Sequence, residues 1–288
     1  MRLLYSWDKE DARQRSQLVF RYKPDVEGLF LSDRGGQTEN QDAWGYAQTA
    51  DGSLVLAVAD GLGGHAGGRA ASQAAVRGCL AAALAPDFRG LSDQGFAAMF
   101  SGAQAAILSD QAASPDLASM RSTLLALIIS EYQIRWGHVG DVRLYLARDS
   151  AIVSRTLDQS VPQMLVNAGK LSPADIAHHP DRNRLLQSLG SPESPPRPDL
   201  AEAAELEPAD FLIISTDGFW EWVDEEHLLR AAQRGAPREA MDEAEALLRD
   251  KTARNDHEHD NYTALFMARA KKPEAKGLLD TLKTAFGR

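Results

Sequence analysis

Short apolar segments bounded by turn-forming residues are the feature of this sequence that most constrains its fold. They cover Leu54–Ala59, Leu124–Ser130, residues 134–139, residues 143–147 and Phe211–Ser215. Runs of this length and composition predict β-strands. Apolar side chains repeat at helical spacing in residues 70–84, 95–112 and 238–252. Because strands and helices are segregated along the chain, the pattern predicts an α+β fold with helices layered on largely antiparallel sheets.

The composition limits the domain organisation and the classes of partner. A chain of 288 residues with 44% hydrophobic residues can bury one large core. We expect one main domain over residues 26–270, an N-terminal extension over 1–25 and a tail over 271–288. Within the domain, residues 161–198 are expected to form a surface excursion. A formal net charge of −10 excludes a nucleic-acid partner, because phosphate-rich partners need a basic surface.

Cysteine usage and hydropathy indicate the compartment. Cys79 is the single cysteine, so no disulfide can form within the chain, and we expect a buried thiol. No stretch reaches the ~20 apolar residues that span a bilayer, and the first residues carry too many charges for a signal peptide. The sequence therefore predicts a cytoplasmic protein without stable membrane insertion.

Aspartates stand at the ends of several predicted strands. Apolar runs lead into Asp60-Gly61 and Thr216-Asp217-Gly218, Asp260 precedes the apolar run 262–268, and Asp42 precedes another predicted strand. Glycine after an aspartate lets the backbone approach a ligand and leaves carbonyl oxygens free to bind a cation. A lone Asp-Gly, such as Asp51-Gly52, predicts only a turn. Several such aspartates in one chain predict an oxygen-only site for Mg²⁺ or Mn²⁺ rather than Zn²⁺.

Six ordered motifs resemble those of the metal-dependent protein phosphatase family of type 2C, in its bacterial branch. They are Glu39-Asn40-Gln41-Asp42, Ala59-Asp60-Gly61-Leu62-Gly63-Gly64-His65, Ser122-Thr123-Leu124, Gly140-Asp141-Val142-Arg143, Ser215-Thr216-Asp217-Gly218 and Asp260-Asn261-Tyr262-Thr263. The resemblance spans residues 31–268. It implies an α-β-β-α sandwich with two central antiparallel sheets, and hydrolysis of phosphoserine or phosphothreonine by direct attack of a hydroxide that bridges two metal ions. Residues 161–198 resemble the family's flap beside the active site.

The resemblance also implies roles for particular residues. Asp60 would bridge two Mn²⁺ or Mg²⁺ ions, with the Gly61 carbonyl on one ion and Asp217 and Asp260 on the other. Asp42 resembles the aspartate that orients the attacking water. The positions used by a third, weaker metal in bacterial members match Asp116 and Asp141.

Three departures from the family pattern affect substrate and metal binding. Gln37 stands where family members carry an arginine that grips the substrate phosphate, so Arg34 or a flap cation, Arg182 or Arg184, would have to replace that charge. Gln41 stands where glutamate is usual, which makes a water-mediated metal contact neutral. Leu62 stands where eukaryotic relatives place a proton-donating histidine. His65 and a metal-bound water remain the two candidate proton donors.

The partners implied by the resemblance are a phosphorylated protein and the kinase that phosphorylates it. Residues 33–36, 39–42 and 216–221 look like phosphatases associated with bacterial type VI secretion, which are similar in opposing a serine/threonine kinase and dephosphorylating a forkhead-associated scaffold. Two alternatives stay open. One is a catalytically weak, phosphatase-like protein that binds phosphoproteins, and the other is a metal hydrolase of small phosphoesters.

Overall fold

The computed structural model of the protein describes residues 2–8, 15–62, 65–195, 197–254 and 259–271. The strands in chain order are β1 (Arg2–Tyr5), β2 (Arg15–Lys23), β3 (Val26–Asp33), β4 (Ala43–Gln48), β5 (Leu54–Ala59), β6 (Gly61–Leu62), β7 (Arg121–Ser122), β8 (Leu124–Ser130), β9 (Gln133–Val139), β10 (Arg143–Arg148), β11 (Ala151–Arg155), β12 (Asp199–Leu200), β13 (Ala204–Glu205), β14 (Phe211–Ser215) and β15 (Tyr262–Arg269). The helices are α1 (His65–Ala83), α2 (Asp93–Ala113), α3 (Val161–Asn167), α4 (Asp217–Trp220), α5 (Glu225–Ala232) and α6 (Pro237–Ala253).

Two antiparallel sheets form the centre of the protein. The first has the strand order β1-β4-β5-β8-β9-β12, with β13 also paired to β9, and the second has the order β11-β10-β14-β15-β3-β2. Strands β6 and β7 form a separate short pair. Helices cover the outer faces of both sheets, so the predicted α+β sandwich is confirmed.

The alternation of side chains along the strands produces the layers. In β5, Leu56 and Val58 face the second sheet, whereas Val55 and Ala57 face α1 and α2, as the two-residue period of a strand requires. Between the sheets, the rings of Phe30 and Trp44 stack with centroids 4.1 Å apart. The inner core therefore belongs to both sheets and fixes how they face each other.

Each sheet packs its outer face on helices. α1 and α2 contact each other and cover the first sheet through small side chains of α1, among them Ala71, Ala75 and Cys79. Burial raises the pKa of the Cys79 thiol to about 12, so the thiol is neutral, and the prediction of a buried cysteine is confirmed. On the second sheet, α5 and α6 bury Met241 and Leu248 of α6 against the strands.

The N-terminal segment differs from the expected extension over 1–25. β1 pairs with β4 and β2 pairs with β3, so residues from this segment complete an edge of each sheet. Strand β2 was not predicted from the sequence because its apolar signal is weak. Its outer face carries Arg21 and Lys23, and Ser16 and Phe20 are buried on the other face. An edge strand exposes one face to water, and its short hydrophobic signal resembles that of a loop.

The remaining boundaries are consistent with the sequence pattern but stay predictions. Residues 161–198 carry α3 and a 3-10 helix at Pro173–His178, and most of their side chains are exposed. Nearly all of the tail predicted for 271–288 lies outside the described residues. No helix within the described ranges is long and apolar enough to cross a membrane.

Truncation of the inter-sheet core tests this packing. Leu56→Ala removes a fully buried side chain between the two sheets and is expected to lower the free energy of unfolding by about 2–5 kcal/mol, because it deletes apolar contacts and leaves a cavity. The matched control is Leu3→Ala on β1, where the side chain is 42% exposed and the expected change is within about 0.5 kcal/mol. Urea denaturation of both variants measures the difference, and equal losses would contradict the layer assignment.

Candidate functional site

Strand register brings the candidate aspartates to one end of both sheets. Ala43 pairs with Ala59, so Asp42 and Asp60 extend from neighbouring strands at the same edge. In the second sheet, Ser215 pairs with both Arg143 and Ala264. Asp141, Asp217 and Asp260 therefore emerge beside one another, although they are far apart in sequence.

A cavity of about 210 Å³ lies between these strand ends. It is lined by Gln41, Asp60, Gly61, Leu62, Asp141, Asn183, Leu185, Asp217, Asp260 and Asn261. The lining contains four carboxylates and no lysine or arginine among the residues that the structure describes. A cavity of this size holds several water molecules or ions, so these side chains surround a polar space rather than a packed core.

The backbone at Asp60 is fixed by Ser122 at the end of β7 and by Thr123, which joins β7 to β8. The Asp60 amide donates to Thr123 Oγ1 at 2.8 Å, and the Asp60 carbonyl accepts from the Thr123 amide at 2.9 Å and from Ser122 Oγ at 2.8 Å. Gly61 has to be glycine, because a Cβ there would lie 1.9 Å from the Gly68 carbonyl oxygen. The chain therefore approaches α1 closely at the point where a carbonyl oxygen can face the cavity.

Asp42 is buried beside the cavity without lining it, and it is held from the second sheet. Thr216 Oγ1 donates to Asp42 Oδ2 at 2.9 Å and in turn accepts from the Thr263 amide at 2.9 Å. Asp42 Oδ1 is buried and has no hydrogen-bond partner among the described residues. A buried carboxylate oxygen without a hydrogen-bond partner lowers the stability of the fold. We therefore expect a cation or a water molecule to contact this oxygen.

Asn261 organises the loop between β3 and β4. Its side-chain amide donates to the carbonyls of Arg34 and Glu39 at 2.8 and 2.9 Å, and its Oδ1 accepts from the Gln41 amide at 2.8 Å. The backbone amide of Asn261 donates to Asp260 Oδ1 at 2.8 Å. One asparagine thus joins the Asp260 carboxylate to the segment that carries Gln41.

The electrostatics of the cavity are dominated by burial and like charge. Burial raises the pKa of Asp42 and of Asp141 to about 7, with the Asp260 charge adding to the rise at Asp42 and the Asp158 charge adding at Asp141. Burial also raises the pKa values of Asp60 and Asp217 well above the usual range, and each is further raised by neighbouring aspartates. These carboxylates repel one another in a desolvated space, which a divalent cation would relieve.

The donor set fits hard divalent cations. Carboxylate and carbonyl oxygens are the ligands that Mg²⁺ and Mn²⁺ prefer, and no histidine or cysteine lines the cavity within the described ranges. In the same part of the chain, no three carboxylate, imidazole or thiol groups already converge on a single ion position. Backbone carbonyl oxygen and water would therefore have to complete the ligands of a cation in this cavity, which has room for water.

The structure separates the other candidate residues from this group. Asp116 is exposed on the 3-10 helix Pro115–Leu117 and does not line the cavity. Arg34 donates through Nη1 to the Gln37 carbonyl at 2.8 Å and lines a neighbouring cavity of about 650 Å³. Gln37 is half-buried and lines neither cavity. The side chain of His65 lies outside the described residues.

Residues of the excursion reach the cavity in a way that the sequence did not indicate. Asn183 and Leu185 line it, whereas the flanking cations, Arg182 and Arg184, do not. Arg182 instead forms an ion pair with Glu221 at 2.9 Å. Burial raises the pKa of Glu221 to about 7, although Arg182 opposes the rise.

Comparison with known proteins identifies the family. A family profile described as Protein phosphatase 2C matches residues 32–255. The chain belongs to the protein phosphatase 2C family. It is 34% identical over 221 residues to the serine/threonine protein phosphatase PstP of Mycobacterium tuberculosis, in a match that covers 76% of this chain and 40% of that protein. The chain thus matches less than half the length of this phosphatase 2C relative.

Solved structures of 2C phosphatases share the fold. The catalytic domain of PstP in complex with two manganese ions gives a TM-score of 0.71 at 26% identity, covering 89% of this chain and 100% of that one. PppA, described as a key regulatory component of type VI secretion in Pseudomonas aeruginosa, gives a TM-score of 0.65 at 23% identity, covering 88% and 97%. At that identity PppA shows the likeness of the fold alone. The protein phosphatase 2C family is metal-dependent, in agreement with the oxygen-rich cavity.

Repulsion among the carboxylates predicts how the stability of the metal-free protein depends on pH. A carboxyl group with a raised pKa in the folded state holds its proton where the unfolded chain has lost it, so stability falls as pH rises from about 4 to 7 and beyond. In EDTA, Asp60→Asn is expected to lessen this fall and to raise the unfolding temperature at pH 7.5 by about 2 °C or more. The control is Asp51→Asn in the β4–β5 turn, where hydrogen bonds from Thr49 and Ser53 lower the aspartate's pKa. Identical pH profiles for wild type and Asp60→Asn would contradict the repulsion.

Proposed function

We propose that this chain is a metal-dependent serine/threonine protein phosphatase. The observation that carries the proposal is the convergence of Asp60, Asp141, Asp217 and Asp260 on one cavity at the strand ends, inside the segment that matches the 2C family. Asp60, Asp141 and Asp217 are desolvated, and neighbouring buried carboxylates destabilise a fold unless they hold cations. A protein without metal chemistry would have no reason to keep them together.

The proposed metal ligands divide between two Mn²⁺ or Mg²⁺ positions. Asp60 would contribute to both positions, the Gly61 carbonyl to one of them, and Asp217 and Asp260 to the other. Asp141 supplies a carboxylate for a third cation, and Asp116 would join it only if the exposed 3-10 helix moved. When bound, divalent cations lower the pKa of water and neutralise charge on a phosphoryl group.

The protein's own residues position the reactants. Asp42, held by Thr216, has one free carboxylate oxygen that can accept a hydrogen bond from the attacking water and orient it. Asn183 presents an amide group at the cavity and can donate to a phosphoryl oxygen, whereas the side-chain amide hydrogens of Asn261 are already donated to the Arg34 and Glu39 carbonyls. Leu62 cannot donate a proton, so protonation of the leaving serine or threonine oxygen is left to His65 or to water.

Phosphate recognition in this cavity differs from the family pattern. No described lining residue carries a positive charge, and Gln37 and Arg34, which do not line this cavity, could bind substrate only outside it. Substrate phosphate would then be held chiefly through cations and amides. This arrangement favours a macromolecular substrate, because further contacts outside the cavity would supply the remaining affinity.

Two alternatives make different predictions for turnover. A phosphoprotein-binding regulator would bind metal and phosphopeptide without releasing phosphate, and the neutral Gln37 and Gln41 favour it. A hydrolase of small phosphoesters would turn over p-nitrophenyl phosphate well and a phosphopeptide poorly. Both alternatives retain the fold and the cations, so only the rate and the substrate preference separate them.

The biological setting is proposed from the sequence motifs and the family. A cytoplasmic phosphatase that opposes a bacterial serine/threonine kinase fits the family, and type VI secretion control through a forkhead-associated scaffold fits the motifs over residues 33–42 and 216–221. The supporting likeness is one of sequence motif and fold. Dephosphorylation of such a scaffold by this protein would be the direct measurement.

Hydrolysis assays test the proposed activity. Phosphate release from p-nitrophenyl phosphate and from a phosphothreonine peptide is expected with Mn²⁺ or Mg²⁺ and not with EDTA. Asp60→Asn and Asp217→Asn are expected to lower kcat by about 100-fold or more, the scale of losing a charge-stabilising group. Asp51→Asn, the aspartate of an Asp-Gly turn away from the cavity, is the matched control and should retain full activity. Metal binding without turnover in wild type would favour the binding alternative.

Gln41→Glu tests the effect of the neutral side chain at the cavity. A fifth carboxylate adds negative charge beside the cations, so the Mn²⁺ concentration for half-maximal activity is expected to fall by about three- to tenfold, or ~1 kcal/mol. Titration of phosphatase activity with Mn²⁺ measures it, and Glu39→Gln, two residues earlier in the same loop, serves as the charge control. An unchanged or higher half-maximal concentration would show that Gln41 does not face a metal position.

A further inference from the structure

Trp220 connects two of the carboxylate-bearing segments. It is 4% exposed, and its indole Nε1 donates to the carbonyl oxygen of Asp141 at 3.0 Å. The hydrogen bond crosses from α4 to the turn between β9 and β10. Because a buried indole N–H needs an acceptor, this contact fixes the backbone of Asp141 relative to α4.

The Trp220 ring is held in place by a buried arginine. The guanidinium carbon of Arg143 lies 3.5 Å from the ring centroid. Arg143 also donates to both carboxylate oxygens of Asp158, at 2.8 and 2.7 Å, and side-chain exposure in this ion pair is only 9% and 2%. A bidentate, desolvated pair has one geometry, so the cation-π contact prevents the indole from tilting.

The same helical turn carries Asp217. The Glu221 amide donates to the Asp217 carbonyl at 3.0 Å, and the Trp220 amide donates to the Thr216 carbonyl at 3.2 Å. Asp217 Oδ1 accepts from the Gly218 amide at 2.7 Å. Asp217 and Trp220 therefore belong to one rigid turn, with Asp217 aimed at the cavity and Trp220 anchored to Asp141.

We propose that Trp220, braced by the Arg143–Asp158 pair, is a positioning residue that sets the spacing between the Asp217 and Asp141 carboxylates and thereby the affinity for the cation bound beside Asp141. The inference rests on the proposed function in that these aspartates hold metal. It goes further by assigning metal affinity to a side chain that contacts no metal. Outer residues that orient ligands commonly change metal affinity by about 10–100-fold when they are altered.

Trp220→Phe separates positioning from simple packing. Phenylalanine keeps an aromatic face for Arg143 but removes the N–H donor to Asp141. The matched control is Trp222→Phe, two residues later, where the tryptophan is half-buried and does not line the cavity. Thermal unfolding in EDTA monitors folding, and we expect both variants to fold.

Isothermal titration with Mn²⁺, in the absence of substrate, is the decisive readout. Trp220→Phe is expected to raise the Mn²⁺ dissociation constant of the lower-affinity site by about tenfold and to leave the higher-affinity binding unchanged. The Trp222→Phe variant is expected to give the same isotherm as wild type. Identical isotherms for wild type and Trp220→Phe would overturn the inference. Wild type that binds no Mn²⁺ would instead overturn the proposed function, so the two failures are distinguishable.

A measurement on the wild type covers the case in which Trp220→Phe does not fold. The chain contains five tryptophans, whose indole N–H signals are resolved by ¹H–¹⁵N NMR. On titration with Mg²⁺, the Trp220 signal, assigned by elimination with single Trp→Phe variants at the other four tryptophans, is expected to shift along the lower-affinity binding curve. The Trp222 signal should not shift with it. A Trp220 signal whose chemical shift does not change at any Mg²⁺ concentration would contradict the proposed link between Trp220 and cation binding.

Discussion

Like charge in a desolvated cavity is the constraint on which the rest of this structure depends. Asp60, Asp141 and Asp217 each have a pKa raised by burial and by neighbouring carboxylates, so the scaffold holds together groups that would otherwise separate. The scaffold holds these groups at strand ends rather than in loops. Strand register leaves little conformational freedom to a residue that directly follows a paired position. Packing of the core between the sheets stabilises the fold against the repulsion among the carboxylates.

Hydrogen bonds from uncharged side chains complete this positioning. Thr123 and Ser122 fix the backbone of Asp60, Thr216 fixes Asp42, and Asn261 ties the Asp260 segment to the loop before β4. None of these partners adds charge to the cavity. Neutral partners restrain the carboxylates without neutralising them, and their negative charge remains available to cations.

The sequence predicted the central strands and the aspartates for one reason. β5, β8 and β14 are buried on both faces and have continuous apolar sequences, and the runs of β5 and β14 lead into Asp60 and Asp217. The edge strand β2 and the roles of Asn183 and Trp220 were not predictable in the same way. Their positions depend on pairing or packing between segments distant in sequence, and a polar or aromatic residue alone does not show which neighbour it will contact. Asp116 is the opposite case. The resemblance to the family predicted it near a third metal, but the side chain is exposed and does not line the cavity.

The absence of basic side chains from the described lining of the cavity couples two binding events. A phosphoryl dianion entering a space lined by four carboxylates is repelled unless cations are present, so cation binding raises phosphate affinity. Thermodynamic linkage makes the effect reciprocal, so under the proposed function a bound phosphoryl group would raise the affinity for cations by the same factor. An arginine at the position of Gln37, as the family resemblance implies for relatives, would make part of that affinity independent of metal. With glutamine there, substrate binding would depend more strongly on the metal ions, and the positions of Asp141 and Asp217 would affect substrate affinity as well as metal binding.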